Sequence, residues 1–232
     1  MLIACWSPKG GSGTTVTACG LAAVLARSAP SPAHGVLLAD LAGDVTAVLG
    51  LPDAKGPGLA EWLAAGPDVA ASALRRLEVD ALPGLKVLPW SGGGGSAAPG
   101  GPGRAEALLE ALSAELRPVV VDCGSAAAGA GLALAAGAPV SLLVLRPCYL
   151  ALRRALAAPV RPSGVVLLTE PGRSLGRRDV EDVLGVPVRA EVAVEESVAR
   201  AVDAGLLARR VPRALERALR AAVGAAAGRD AA

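Results

Sequence analysis

The chain of 232 residues carries 23 Lys and Arg against 21 Asp and Glu, a formal net charge of +2, and is long enough for one domain with a sizeable core. Its single His34 excludes a His-rich metal site, and Cys5, Cys19, Cys123 and Cys148 lack C-x-x-C spacing, so they read as reduced, buried small residues of a cytoplasmic protein. With no Phe, one Tyr and three Trp, the core must be built from Ala, Val and Leu, which favours close helix-to-sheet packing.

In chain order, Leu2 to Cys5 reads as a strand and Thr15 to Arg27 as a helix, with Lys9-Gly-Gly-Ser-Gly-Thr-Thr15 between them. Gly10, Gly11 and Gly13 let the backbone curl and aim successive N–H groups at phosphate oxygens, reinforced by the helix N-terminus. Val36 to Ala39 is a second strand leading to Asp40. A helical section from Leu59 to Leu77 precedes a strand at Leu85 to Leu88. Ser91 to Gly103, dominated by Gly and Pro, is expected to be a flexible surface loop.

Glu106 to Leu116 is helical and Pro118 ends it; Val119 to Val121 is an apolar strand carrying Asp122 at its carboxyl end. Ser125 to Leu145 is 21 residues without a charge, long enough to span a bilayer. Its first half is Ala and Gly, and Pro139 divides it into a small-residue helix and a strand from Val140 to Leu145, so no transmembrane span is expected. Further strands at Val165 to Leu168 and Val186 to Val188 are separated by helices near Ala151 to Ala157, Arg177 to Leu184 and Glu195 to Ala208. The alternation implies a single-domain α/β fold, 1–232, a doubly wound and mostly parallel sheet with helices on both faces. Ligands of such sheets bind beyond the carboxyl ends of the strands, where Lys9, Asp40 and Asp122 emerge.

Measured against the ordinary phosphate-loop pattern G-x-x-x-x-G-K-[ST], Pro8 stands at the first Gly and Thr14 at the Lys. The segment resembles the deviant Walker A motif, K-G-G-x-G-K-[ST], of the ParA/MinD superfamily. In that family a signature Lys, here Lys9, reaches across a nucleotide sandwich dimer. Val119-Val-Val-Asp-Cys123 resembles its Walker B strand, although Gly124 and Ser125 replace two customary prolines. Val36-Leu-Leu-Ala-Asp40-Leu-Ala42-Gly-Asp44 is similar to its V-L-L-V-D-x-D segment, with Ala42 where the water-positioning Asp belongs. Arg146 to Arg153, Gly164 to Thr169, Leu184 to Val188 and Glu195 to Gly205 resemble later family segments, so the likeness spans about residues 1–207.

The resemblance implies ATP and Mg²⁺ as cofactors. Gly10, Gly11, Ser12, Gly13, Thr14 and Thr15 would cradle phosphates with Lys9, Thr169 would lie near the base, and Thr15 with Asp122 would hold the metal. Lys9, Asp40 and Asp44 are the candidate catalytic groups, Asp44 as a substitute for the carboxylate missing at Ala42. Two absent electrostatic groups imply slow or absent hydrolysis, since one oriented group is worth roughly 3 kcal/mol. Thr14 makes the chain most similar to the CpaE/TadZ branch, which localises pilus assembly, with MinD-type septum placement next. Both readings imply a homodimeric, ATP-binding spatial organiser; an active partitioning ATPase and a nucleotide-independent interaction protein are the alternatives.

Residues 1–150 carry 9 basic and 11 acidic groups, whereas residues 151–232 carry 14 and 10, every base there being Arg. Arg209, Arg210, Arg213, Arg217 and Arg220 lie on a C-terminal helix and tail, 209–232, that would meet DNA, anionic lipid at the membrane surface, or an acidic pilus or division partner. A solvated face paired with Glu216 is the plainer reading. Its apolar positions Val211, Leu215, Leu219 and Val223 suit packing on the protein's own core.

Overall fold

The computed structural model describes residues 1–29, 35–52, 55–66, 68–91, 103–126 and 128–227. Eight strands form one sheet in the order β3-β4-β2-β5-β1-β6-β7-β8. They are β1 Leu2–Trp6, β2 Val36–Asp40, β3 Val79–Leu82, β4 Leu85–Leu88, β5 Val119–Asp122, β6 Val140–Leu145, β7 Gly164–Thr169 and β8 Val188–Ala193. All pairs are parallel except β3 with β4. The central strands are buried along their whole length, as uninterrupted Val, Leu and Ala runs require when both faces are covered.

Two hydrophobic cores sit on opposite faces of the sheet. One packs beneath α3 Leu59–Ala64, α4 Arg104–Ser113, α5 Gly129–Gly137, α6 Tyr149–Ala157 and α7 Arg177–Leu184, through residues such as Trp62, Leu108, Leu134 and Val180. The other packs beneath α1 Thr14–Ser28, α2 Val45–Leu49 and α9 Arg213–Ala227, through Leu21, Val48, Leu215 and Leu219; Val198, Ala201 and Val202 of α8 Glu196–Asp203 join it half-buried. Small residues make this layering possible without Phe. A Cβ on Gly20 of α1 would stand 2.6 Å from a Leu219 methyl, and one on Gly137 would overlap Leu109. Gly50 and Gly205, both at positive φ, bring their backbones together where α2 ends and α8 has just ended, leaving no room for a Cβ on Gly50 beside the Gly205 carbonyl.

The structure revises several boundaries. The helical section expected from Leu59 to Leu77 is broken into α3 and a 3-10 turn at Ala71–Arg76, because Ala65 turns extended ahead of Gly66 and Pro67. Strand β3 was hidden by its half-exposed, mixed pattern; it joins β4 through Pro83 and Gly84, the latter at φ +80°, which is Pro-Gly turn chemistry. The last strand starts only at Val188 and runs on to Ala193 as an alternating edge. Helix α8 stops at Asp203 rather than Ala208, since Gly205 takes φ +62°, and Arg209 and Arg210 precede the C-terminal helix. Helix α2 lies between expected elements. The uncharged run divides into α5 and β6 as expected, and no helix among the described residues is long and apolar enough to cross a membrane. Most of the expected loop from Ser91 to Gly103 lies outside the described residues, as does the tail beyond Ala227.

One polar clamp ties the β3 edge to the turn before β5. Arg117 donates to both oxygens of Glu78, at 3.1 and 2.7 Å, and of Glu115, at 3.1 and 2.9 Å. The hydrogen bonds from Arg117 hold the Glu115 carboxyl down at about 2. The stabilisation is therefore complete above pH 4.5 and fades as pH falls toward 2. Arg117→Met leaves two largely buried carboxylates facing each other and is expected to cost about 3 kcal/mol. Denaturant unfolding should show the wild-type advantage at pH 7 and a smaller one at pH 3.

Candidate functional site

Strand β1 is held at its carboxyl end before the glycine loop begins. Trp6 is fully buried and its indole N–H donates to Ser141 Oγ at 3.0 Å, which in turn donates to the Ala135 carbonyl at 2.6 Å. Ser7 then ties the loop to its neighbour. Its amide donates to the Gly124 carbonyl at 2.9 Å and its hydroxyl to the Lys9 carbonyl at 2.8 Å. Ser12 Oγ donates to the same Lys9 carbonyl at 3.0 Å, closing the loop on itself. Neither Trp6 nor Ser7 was singled out from the sequence; the hydroxyl immediately before the Pro-Lys-Gly-Gly run was the available signal.

The cradle has the conformation that its glycines predict. Gly11 and Gly13 adopt φ +73° and +80°, and no atom stands within 4 Å of where a Cβ on Gly10 or Gly11 would be. Gly13 precedes α1 directly, and both the Thr17 amide and the Thr17 hydroxyl donate to its carbonyl at 3.0 and 2.9 Å. The exposed Gly10 and Gly11 thus lie just ahead of the N-terminus of a long helix, an end whose free amides favour an oxyanion. Thr14 is buried, Thr15 is half-buried, and Lys9 is half-buried at the loop's start.

Two carboxylates lie side by side on this edge, because Asp40 and Asp122 are register partners on β2 and β5. Both are fully buried, and they have different tasks. Asp40 accepts from the amides of Ala42 at 2.9 Å, Gly43 at 2.7 Å and Val45 at 3.2 Å. Burial raises its pKa, and these three bonds oppose the rise. Through these bonds Asp40, one of the expected catalytic groups, fixes the loop that leads into α2.

Asp122 accepts from the Gly124 amide through Oδ1 at 3.0 Å, while its buried Oδ2 has no hydrogen-bond partner. Burial pushes its pKa up to about 7; the nearby Thr15 hydroxyl acts against the shift, and the charge of Asp40 adds to it. A buried, unpartnered carboxylate oxygen beside a hydroxyl and an open amide cradle is the donor set a hard cation would complete. No group of three or more His, Cys, Asp and Glu that would hold a metal by protein ligands alone occurs among the described residues.

The remaining expected residues frame the site. Ala42 faces Gly124, whose Cβ would stand 3.2 Å from that of Ala42, so position 42 borders the loop after Asp122 and offers only a methyl there. Asp44 is exposed at the N-terminus of α2, near enough for its charge to raise both Asp40 and Asp122. Thr169 ends β7, and its neighbour Leu168 packs 3.4 Å from the Cβ position of Gly13, bringing that strand end against the cradle. Beyond it Glu170 bonds Arg173 at 2.7 Å and Arg146 at 2.9 Å; the Arg173 bond holds its carboxyl below the usual range, and the charges of Arg146 and Lys9 add to this. This Arg146–Glu170–Arg173 cluster was not foreseen, since its members come from two strand ends. Burial pushes the thiols of Cys5, Cys19 and Cys123 up, leaving them inert, and all four cysteines are free.

No protein-family model and no curated protein matches the sequence. Solved structures do match the fold. A ParA family ATPase from Chlorobium tepidum TLS superposes with a TM-score of 0.74 at 20% identity, covering 96% of this chain and 97% of that one. The septum site-determining protein MinD from Pyrococcus horikoshii OT3, complexed with Mg-ADP, gives 0.72 at 18% identity over 95% and 93%. An ATP complex of a McdA variant from Cyanothece gives 0.72 at 18% identity over 98% and 96%.

The orphan Asp122 oxygen supplies a direct check on the site. Asp122→Asn removes a charge whose burial lowers stability as pH rises from about 4 through about 7. The metal-free variant is expected to unfold at a higher temperature than wild type at pH 8, by up to about 3 kcal/mol in stability, with the gain vanishing near pH 4. Calorimetry at the two pH values reads this. The sheet order, the two-faced helix layers and the strand-end site together give this chain the fold of the ParA and MinD ATPases.

Proposed function

We propose that the whole chain, 1–232, acts as one cytoplasmic nucleotide-binding unit that binds ATP with Mg²⁺, dimerises around it and hydrolyses it slowly or not at all. The observation that carries this reading is the unpartnered, buried Oδ2 of Asp122 beside Thr15 at the edge of an open glycine cradle. Amides of Gly10 to Thr15 would hold the phosphates, Thr15 and Asp122 the cation, and Thr169 would border the base. Bound Mg²⁺ supplies positive charge to the phosphate oxygens and, with the protein's amides, favours an anionic state there. Similar folds bind such ligands: the MinD structure holds Mg-ADP and the McdA structure holds ATP.

Hydrolysis needs more. A phosphate-loop Lys would neutralise charge at the transferring group and a carboxylate would orient water. Position 14 has a buried Thr and position 42 a methyl, so neither function is served there, and the exposed Asp44 is the candidate substitute for the carboxylate. Lys9 belongs to the cradle's rim and acts, on this reading, on the phosphates of a second copy. A dimer that persists because its nucleotide is not consumed is a scaffold. We place it with proteins that localise pilus assembly in the CpaE/TadZ manner, septum placement being the second reading, with pilus or division proteins as its partners.

The C-terminal helix enters differently from a membrane anchor. Leu215, Leu219 and Ala222 are buried against α1 and β8, so the apolar face is used inside the protein and only the Arg face is left for an anionic membrane or DNA.

The test titrates purified protein with ATP and Mg²⁺ while following binding, mass and phosphate release on the same samples. The reading expects dimerisation at sub-millimolar to millimolar ATP with negligible release, and loss of dimerisation in Lys9→Ala. Rapid Mg²⁺-dependent release that Thr15→Ala abolishes would overturn slow hydrolysis, and absence of binding at millimolar ATP would overturn the nucleotide reading altogether.

A further inference from the structure

The segment after α8 and the first turns of α9 enclose a groove of about 1140 Å³ that the nucleotide reading leaves unused. It exceeds the roughly 300–1,000 Å³ of a typical small-molecule pocket, and it is open rather than enclosed. Its walls carry Arg27, Arg200, Arg209, Arg210, Arg213 and Arg217. Arg27 is structural: it donates to the carbonyls of Ala208 and Arg209 at 3.2 and 3.0 Å and so fixes the turn that presents the others. Arg200 is paired with Glu196 at 2.8 Å. Arg209, Arg210, Arg213 and Arg217 are exposed and make no ion pair among the described residues.

Six arginines line this concavity against two carboxylates, Glu195 and Glu216, so its charge is strongly positive and an anionic occupant relieves the mutual repulsion. The rest of the lining decides which anion. Leu206 is 42% exposed in the groove beside the buried Val211, so an apolar contact is on offer. Glu195 and Glu216 also line it, and Glu216 is kept ionised by Arg220 at 2.8 Å. The exposed Leu206 among the arginines favours an extended peptide, whose acidic side chains alternate with apolar ones and whose amides can donate to Glu195, over a polymer that bears a phosphate at every step and offers no apolar group there.

We propose that this groove docks an acidic, Leu-containing segment of a partner protein, with Arg209, Arg210, Arg213 and Arg217 forking its carboxylates and Leu206 receiving an apolar side chain. None of these residues belongs to the glycine loop, so the proposal stands whether or not nucleotide binds.

The probe is a fluorescein-labelled peptide of about a dozen residues in which Glu or Asp alternates with Leu or Ser, titrated into the full chain and read by anisotropy. Binding is expected in the micromolar range at about 100 mM salt and to weaken by tenfold or more at about 500 mM, the mark of unscreened charge pairing. Arg209→Ala with Arg213→Ala should weaken it at least about tenfold without moving the thermal midpoint, because both side chains are solvent-exposed. Leu206→Ser should weaken it without changing the salt dependence. Arg153→Ala with Arg154→Ala, exposed on α6, should leave it unchanged. The proposal is overturned by no binding at low salt, by equal losses in the α6 pair, or by duplex DNA or anionic vesicles binding more tightly than the peptide through the same arginines.

Discussion

Placing two carboxylates next to each other in the dry interior of a sheet edge is the constraint on which this molecule turns. Asp40 and Asp122 are partners in register on adjacent parallel strands, both without solvent contact. Left alone, the pair would be destabilising, since burial and mutual repulsion both oppose charge. The fold resolves one half internally: three amides of the loop after β2 close on Asp40 and set the start of α2. The other half is left open at Oδ2 of Asp122, against Thr15 and the glycine loop. The fold thus retains one buried carboxylate oxygen without a hydrogen-bond partner beside the glycine loop.

Close packing of small residues carries this geometry outward. Without Phe, the layers are drawn together by Gly and Ala, so α9 lies on α1 through Gly20 and α5 on α4 through Gly137. The same device joins α2, which Asp40 positions, to the segment after α8 through the backbone contact of Gly50 and Gly205. The next residue, Leu206, lines the arginine groove. Such contacts leave little slack, because interiors at this density transmit displacement rather than absorb it.

The alternation of strands and helices was legible because both faces of a parallel sheet demand uninterrupted apolar runs, and Leu2 to Cys5, Val119 to Val121 and Val140 to Leu145 have no other use. The glycine loop was legible because only glycine tolerates the φ values found at Gly11 and Gly13. Less visible were elements whose stability comes from contact rather than pattern. Strand β3 is mostly solvent-facing and depends on Arg117, Glu78 and a Pro-Gly turn; α2 depends on Asp40. The Trp6 to Ser141 hydrogen bond joins residues 135 positions apart, a separation that leaves no local trace. For the same reason the three amide bonds to Asp40 were not legible: a carboxylate at a strand end reads alike whether its oxygens face a ligand or the next three amides.

In the proposed nucleotide site, Thr14 and Ala42 stand where a charge-neutralising Lys and a water-orienting carboxylate would serve hydrolysis. The most direct test is the rate of Mg²⁺-dependent phosphate release from ATP by Thr14→Lys/Ala42→Asp beside the wild type. Negligible release is expected from the wild type and a gain of at least about a hundredfold from the double variant, as one or two oriented charged groups would supply. Release by the wild type as fast as by the double variant, or a folded double variant that binds ATP and stays inert, would contradict this reading.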